Sequence, residues 1–386
     1  MKILVSTPIF PPEIGGPATY TVEVSRRLQE KGHRIRIVAF SDAKSLASDL
    51  EVAAVRVYYK VFGTLFRQMR FFFTLLASVK GMDLIYLQDP MVVGVASLLV
   101  GKLVRKPLVL KFVGDSIWEK EYSRRRTDQD LDGFLSSPQK SLAVKLRIAL
   151  LRIVLGSMNR ILVPSHFLRD ILVKHYRVRP EKIGVVYNSV DLEAIDRLPS
   201  QRGQRRGTQV IIAIGRMVRH KRIEGIIAAL RELMKEFPDA SLALVGDGPE
   251  KESLEQLAEK IGVAQKVRFY GSIDHDKTLA LLKASDVFVL NSLYEGLPHT
   301  VIEAMACSVP VVATHIRGTD EVLDDSRTGL LVSPDKEKDL VDRITRLFKD
   351  RELAERLAAN ALAAAKEKFT WDSNLTKLEA ELEKVL

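Results

Sequence analysis

The chain has 386 residues, of which 46% are apolar and 28% charged, the balance of a folded protein. That excludes a wholly disordered chain, a collagen and a disulfide-stapled miniature, and at ~100–200 residues per domain the length predicts two domains. The net charge of +10 is uneven: residues 1–190 hold 30 Lys and Arg against 16 Asp and Glu, so this half is expected to face something anionic, such as nucleic acid, a membrane surface or a phosphorylated substrate. In chain order, Lys2–Ser6 is a short apolar run ending in a Pro-rich turn and reads as a buried parallel strand. Thr19–Lys31 carries Tyr20, Val24 and Leu28 at helical spacing and stops at Gly32. Arg34–Phe40, Leu84–Leu87, Leu108–Phe112, Ile161–Val163 and Ile183–Tyr187 are the next strand candidates, with helical segments between them.

Residues 198–207 are polar, Gly-containing and basic, which suits a linker between a domain at 1–197 and one at 208–368. Beyond it the alternation restarts, with strands expected at Val210–Ile214, Ser241–Val245, Val267–Tyr270, Val287–Leu290 and Val311–Ala313 and helices at Arg222–Phe237 and Glu250–Ile261. Residues 369–386 close the chain as a helix expected to return to the first domain. Alternating strands and helices imply parallel sheets covered on both faces, so the expected fold class is α/β: two doubly wound parallel-sheet domains facing each other across a cleft.

Cys307 is the only cysteine, so no intrachain disulfide forms and a zinc site built on several cysteines is excluded. No stretch reaches the ~20 apolar residues that span a bilayer. The opening apolar run is too short for a signal peptide, and a cytoplasmic location is expected.

Three segments carry chemistry. In Asn291–Thr314, Glu295 and Glu303 are separated by seven residues, and Gly296, Leu297 and Pro298 form a loop that turns into a helix near His299. Backbone N–H groups at a helix start attract anions, and two flanking carboxylates accept hydrogen bonds from hydroxyls. An anion together with hydroxyls describes a nucleotide sugar. On spacing alone, a solvated helix residue for Glu303 and a cap for Glu295 account for the pair as well. In Ala213–Arg222, Gly215 lets the chain turn, and Arg216 and Lys221 can converge on one phosphate group, with Arg219, Arg222 and the potentially positive His220 adding to the run. A solvated basic loop is the equal alternative. In Pro8–Thr19, Gly15 and Gly16 free the backbone for close approach to a ligand, as an ordinary Pro/Gly loop also would. There is no G-x-G-x-x-G and no P-loop motif, which disfavours a nicotinamide cofactor and a P-loop NTPase.

The ordered set of these segments resembles the family 4 retaining glycosyltransferases of the GT-B fold. The resemblance includes the opening PPEIGGPATYTVEVSRRLQEKGHRIRIV, VVYNSVD at 185–191, GRMVRHK at 215–221, LVGDGPE at 244–250, VRFYGSI at 267–273, the run at 284–314 and TGLLVSP at 328–334. It implies two Rossmann-like domains, Glu295 meeting the donor sugar hydroxyls, and Glu303 the ribose hydroxyls. Arg216 and Lys221 would hold the donor diphosphate, helped by the N–H groups of Gly296, Leu297 and Gly16, while Gly271, Ser272 and Ile273 would border the nucleobase. It further implies a UDP-, GDP- or ADP-hexose as donor substrate, no cofactor and no metal, because Arg and Lys replace the divalent ion. The leaving phosphate would help deprotonate the acceptor on the same face, giving retention.

Several positions depart from the family pattern. Val113-Gly114-Asp115 stands where many members have His-Gly, and Asp115 is the expected substitute, holding a sugar hydroxyl or acting as base; a cap on the helix containing Trp118 is the alternative. Ser308 stands where Gly is usual, and Ser189 where Gly often follows Asn188. Asp128-Gln129-Asp130 matches a metal-binding D-x-D only superficially and is read as a surface loop.

On the acceptor side, Lys60–Lys80 and Ser141–Arg160 are apolar at helical spacing with interleaved basic residues, the pattern of helices that lie on an anionic membrane and equally of core helices with snorkelling arginines. The expected partners are a nucleotide-sugar donor, a glycan or lipid-linked acceptor and an anionic inner-leaflet surface met through Lys60–Lys80, in cell-envelope polysaccharide or glycolipid synthesis. Competing expectations are a nucleotide-sugar epimerase on the same fold and a basic nucleic-acid-binding protein, although no nucleic-acid module is recognisable.

Overall fold

The computed structural model describes residues 1–11, 13, 16–41, 50–55, 63–199, 208–334 and 336–386. Gly15, residues 60–62 of the basic amphipathic run, and 200–207 of the expected linker lie outside them. The elements follow in order as β1 Lys2–Thr7, α1 Gly16–Glu30, β2 Arg34–Phe40, β3 Glu51–Val55, α2 Gly63–Ser78, β4 Leu84–Leu87, α3 Gly94–Val104, β5 Leu108–Lys111, α4 Ser116–Ser123, α5 Leu131–Ser136, α6 Leu142–Gly156, β6 Arg160–Val163, α7 His166–Tyr176, β7 Ile183–Val185 and α8 Leu192–Arg197. They continue with β8 Val210–Ile214, α9 Ile223–Leu233, β9 Ser241–Val245, α10 Lys251–Lys260, β10 Val267–Gly271, α11 His275–Lys283, β11 Val287–Leu290, α12 His299–Ala306, β12 Val311–Thr314, α13 Arg317–Asp320, β13 Leu330–Val332, α14 Glu337–Lys349, α15 Arg351–Lys368 and α16 Trp371–Glu383.

The chain divides into two units, one of Met1–Val113, Ser137–Val186 and Leu375–Leu386, the other of Gly114–Ser136 and Tyr187–Asn374. The first contains a seven-stranded sheet in the order β3-β2-β1-β4-β5-β6-β7, with every strand pair parallel. Parallel neighbours need crossover helices, and right-handed crossovers place α2, α3 and α6 on one face of this sheet and α1 on the other. The last residues of the chain are tied to this unit by ion pairs: Lys31 Nζ donates to Glu379 Oε2 at 2.5 Å, and Arg160 pairs with Glu381.

The second unit contains a six-stranded parallel sheet, β10-β9-β8-β11-β12-β13. Its central strands β8 and β11 are apolar at every position because both faces are covered. Ile211, Val287 and Val289 belong to one core cluster, and Ile212, Phe288 and Leu290, their alternates along β8 and β11, belong to the other. In α9, Ile223, Ile226, Ile227, Leu230 and Leu233 recur at helical spacing and are all buried, each contributing about 2 kcal/mol of apolar burial.

Two strands were not anticipated, β3 and β13. β3 (Glu-Val-Ala-Ala-Val) is mostly alanine and glutamate, residue types depleted in strands, and β13 has only three residues, although all three are apolar and buried.

Candidate functional site

The second unit gathers its chemistry at the carboxyl ends of β8, β9, β10 and β11, where loops are laced together by backbone hydrogen bonds. Gly215 N–H donates to Val245 O at 2.9 Å, Met217 N–H to Asp247 O at 2.9 Å, and Gly246 N–H to Gly271 O at 2.9 Å. A Cβ on Gly246 would lie 2.0 Å from Gly215 O, so glycine is what allows the β8 and β9 loops to approach so closely. The loop after β11 joins the same lacing: Leu293 N–H donates to His220 O at 2.8 Å and Asn291 Nδ2 to Arg222 O at 2.9 Å.

This frame aims the side chains. Lys221 closes a single 3-10 turn, Arg219–Lys221, and its Nζ donates to Glu295 Oε1 at 2.6 Å. Both partners are largely buried, so two residues 74 apart in sequence are held as one unit. The backbone of Glu295 is fixed from behind, because a Cβ on Gly318 at the start of α13 would lie only 2.1 Å from Glu295 O. Arg216 is exposed, and its Nη2 donates to Glu119 Oε2 at 3.1 Å. Burial pushes the Glu119 carboxyl up from the ordinary range, and the charges of Arg216 and Lys221 oppose that.

The remaining basic residues of the β8 loop do other things. Arg219 Nη2 donates to Asp128 Oδ1 at 2.5 Å while its guanidinium lies 4.7 Å from the centre of the Tyr122 ring. Arg222 donates to Pro334 O. His220, counted in the sequence with the positive residues, is not one of them: it is buried against Trp118, Tyr122 and Tyr294, and burial, followed by the charges of Lys221 and Arg216, pushes it down to about 3.

Asp115 is fully buried at the N-cap of α4, where its Oδ1 accepts from Ile117 N–H and Trp118 N–H, both at 3.0 Å. It fixes the helix that carries Glu119 and Trp118. In Asp128-Gln129-Asp130, Asp128 meets Arg219, Gln129 O accepts from Trp118 Nε1 at 2.9 Å, and Asp130 Oδ1 accepts from Gly133 N–H at 2.8 Å. Among the described residues, no group of three or more His, Cys, Asp or Glu side chains is placed to hold a metal.

Pro298 caps α12, and the N–H groups of Gly296 and Leu297 just before it donate to no protein group among the described residues. Glu303 sits inside α12, buried, and accepts from His275 Nε2 at 2.8 Å, with His299 Nε2 at 3.5 Å. Burial favours its neutral form, but the His275 bond and the two imidazole charges outweigh burial and hold the carboxyl below its usual value. The same bond raises His275. His275 opens α11 one residue after the turn of Gly271, Ser272 and Ile273, with Asp274 as the cap between them, so that turn lies close in the chain to the partner of Glu303. Gly16, the remaining expected donor residue, starts α1 in the first unit. In that unit Lys111, at the end of β5, is buried with its Nζ 3.2 Å from the centre of the Tyr20 ring, and burial lowers it well below an ordinary lysine.

Sequence reasoning missed Glu119, His275 and His299. His299 was legible as the i,i+4 neighbour of Glu303. Glu119 and His275 reach their partners from elements 97 and 28 residues away, which no local pattern reports.

The model described as Glycosyltransferase Family 4 matches residues 14–194, and Glycosyl transferases group 1 matches residues 195–363. The alpha-D-kanosaminyltransferase of Streptomyces kanamyceticus is 33% identical over 159 residues, 41% of this chain and 41% of that protein, so the match spans under half of either. The phosphatidylinositol N-acetylglucosaminyltransferase gpi3 subunit of Schizosaccharomyces pombe is 24% identical over 347 residues, 88% of this chain and 71% of that one. The Anabaena protein HepE, solved in complex with UDP and glucose, superposes with a TM-score of 0.80 at 21% identity, covering 100% of both chains, which shows the same fold. With its two parallel-sheet units and two adjoining family matches, the chain belongs to the group 1/family 4 glycosyltransferases and has the GT-B fold.

Proposed function

We propose that the chain moves a hexose from a nucleotide-diphosphate sugar to a glycan or lipid-linked acceptor, with retention of configuration and without a metal ion. The observation that carries this reading is the Lys221–Glu295 pair at 2.6 Å. A cation suited to a phosphate and a carboxylate suited to sugar hydroxyls stand side by side, as the junction between diphosphate and hexose requires. The complex of HepE with UDP and glucose supports the same ligand class.

In this reading Lys221 and Arg216 hold the diphosphate, and the N–H groups of Gly296 and Leu297 meet its oxygens. Their fixed positive charge stabilises the negative charge that develops as the sugar–phosphate bond breaks, the task a divalent ion performs elsewhere. The acceptor hydroxyl forms the new bond to the same face of the anomeric carbon, and its proton passes to the departing phosphate oxygen. Glu295 orients the hexose. Glu303, steadied by His275, takes the ribose hydroxyls, and Gly271, Ser272 and Ile273 border the base. Asp115 acts by holding α4, so that Glu119 keeps Arg216 in place until the donor arrives.

The phosphatidylinositol named in the yeast relative and the positive charge of residues 1–190 support a lipid-linked or otherwise anionic acceptor and a place at the cytoplasmic face of a membrane, met in part through Lys60–Lys80. A thermal-shift screen of nucleotides and nucleotide sugars tests the proposal. One nucleotide diphosphate and its sugar should raise the melting temperature, and a chain that responds to none contradicts it.

A further inference from the structure

We infer that the outer faces of α2, α3 and α6 form one docking surface for an anionic lipid membrane. This deepens the membrane contact proposed above for Lys60–Lys80 and does not depend on the sugar transfer itself. Each helix buries one apolar stripe and carries a second one outward. On α6 the outward stripe is Leu142, Leu146, Leu150 and Ile153, spaced four, four and three apart, with Leu142 73% and Ile153 62% exposed. On α3 it is Leu99 and Leu103, one turn apart, with Leu103 64% exposed. On α2 it is Phe66, Met69 and Phe73, with Phe73 60% exposed. The three helices lie on the same face of the sheet, and α3 packs against both α2 and α6. These positions account for most of the large apolar side chains exposed among the described residues.

A single exposed leucine means nothing, but stripes continued over three adjacent helices are a surface built to be covered. The charge says by what. None of the three helices contains an Asp or Glu, while Arg70, Lys102, Lys145 and Arg152 stand exposed beside the stripes. A second copy of the chain would bring like charges together across a two-fold interface with no carboxylate in these helices to pair them. An anionic bilayer surface is apolar below and negative at its headgroups, and it satisfies both features at once. No helix among the described residues is long and apolar enough to cross a membrane, so the contact is one of lying on the surface.

Flotation of the full chain with vesicles tests this. Vesicles of phosphatidylcholine containing phosphatidylglycerol should bind it at least about tenfold more strongly than phosphatidylcholine alone. Leu146→Glu/Ile153→Glu should lower that binding at least about tenfold. Lys102→Glu/Lys145→Glu should lower it on anionic vesicles by about twenty-five-fold, at about fivefold per basic residue, and leave binding to neutral vesicles unchanged. Both pairs are on the solvent side, and unchanged circular dichroism and melting show that the fold is kept. Equal binding to the two vesicle types, or full binding by Leu146→Glu/Ile153→Glu, overturns the inference. So does a dimer in sedimentation that the leucine variant splits. Nucleotide-sugar binding by the same variant should be unchanged, and vesicle binding by a chain that takes no nucleotide sugar upholds the surface while refuting the transferase reading.

Discussion

Replacing Lys221 with Met keeps the unbranched apolar stem, one atom shorter, and removes its charge, leaving Glu295 without the ammonium 2.6 Å away. An exposed ion pair contributes up to about 1 kcal/mol, and breaking a fully buried one costs about 3–5 kcal/mol. With side chains 20% and 11% exposed, this pair falls between those limits, and Lys221→Met should cost about 2 kcal/mol. In a domain of this size that is a fall of about 4–8 °C in melting temperature. Glu295→Gln should cost less, and the double variant Lys221→Met/Glu295→Gln should regain much of the loss, because no uncompensated charge remains. Turnover should follow another course. All three variants should lose at least about a hundredfold, the scale of removing one group that stabilises developing charge. Thermal melting and steady-state rates on the same four proteins decide it. If the double variant regains activity along with stability, the pair is a structural bridge and its assignment to the donor fails. If its melting loss is the sum of the single losses, the two residues are not coupled and the contact contributes nothing.

Other outcomes follow from single contacts. Ser308 has φ +56°, a left-handed conformation that costs a side-chain-bearing residue about 1–2 kcal/mol, partly recovered by glycine, so Ser308→Gly should raise the melting temperature by about 1–2 °C at about 0.5 kcal/mol and leave turnover unchanged. Gly318→Ala forces a carbon to within 2.1 Å of Glu295 O; it should displace the loop after β11, lower the melting temperature and cut turnover at least about tenfold. The Glu303–His275 bond should give a bell-shaped contribution to stability. A depressed carboxylate stabilises above its unfolded value, ~4.3, and loses this as pH falls through the folded value, whereas a raised imidazole stabilises below ~6.5 and loses this as pH rises through the folded value. The melting difference between wild type and His275→Ala should therefore peak between about pH 4.5 and 6.5 and shrink on either side, and because His275 is half exposed it should stay under ~1 kcal/mol. A difference that is flat with pH would contradict the assignment.

Much of the fold was legible because central parallel strands are buried on both faces and leave unbroken apolar runs. β4, β8 and β11 lie where those runs place them, and α12 begins at His299 as the Gly-Leu-Pro loop suggested. β3 and β13 were not legible, since β3 is mostly alanine and glutamate and β13 has only three residues. Glu295 and Lys221 could each be picked out singly, but that they touch depends on the β8 and β11 strands being neighbours in the sheet, a fact of topology. The same limit explains Asp115, His220 and Glu119. Residues 114–136 belong with the second unit although they precede it by some fifty residues, and the cage of Trp118, Tyr122 and Tyr294 around His220 exists only because of that. The sequence pattern showed a run of positive residues there, and burial removed one of them from the count.

The central claim is that two fixed cations grip a diphosphate without help from a metal. Calorimetric titration of the chain with UDP-, GDP- and ADP-hexoses in a chelating buffer tests it most directly. One of them should bind at one site per chain, and Lys221→Met should weaken that binding strongly. Binding of none, or binding that appears only when manganese is supplied, contradicts the account.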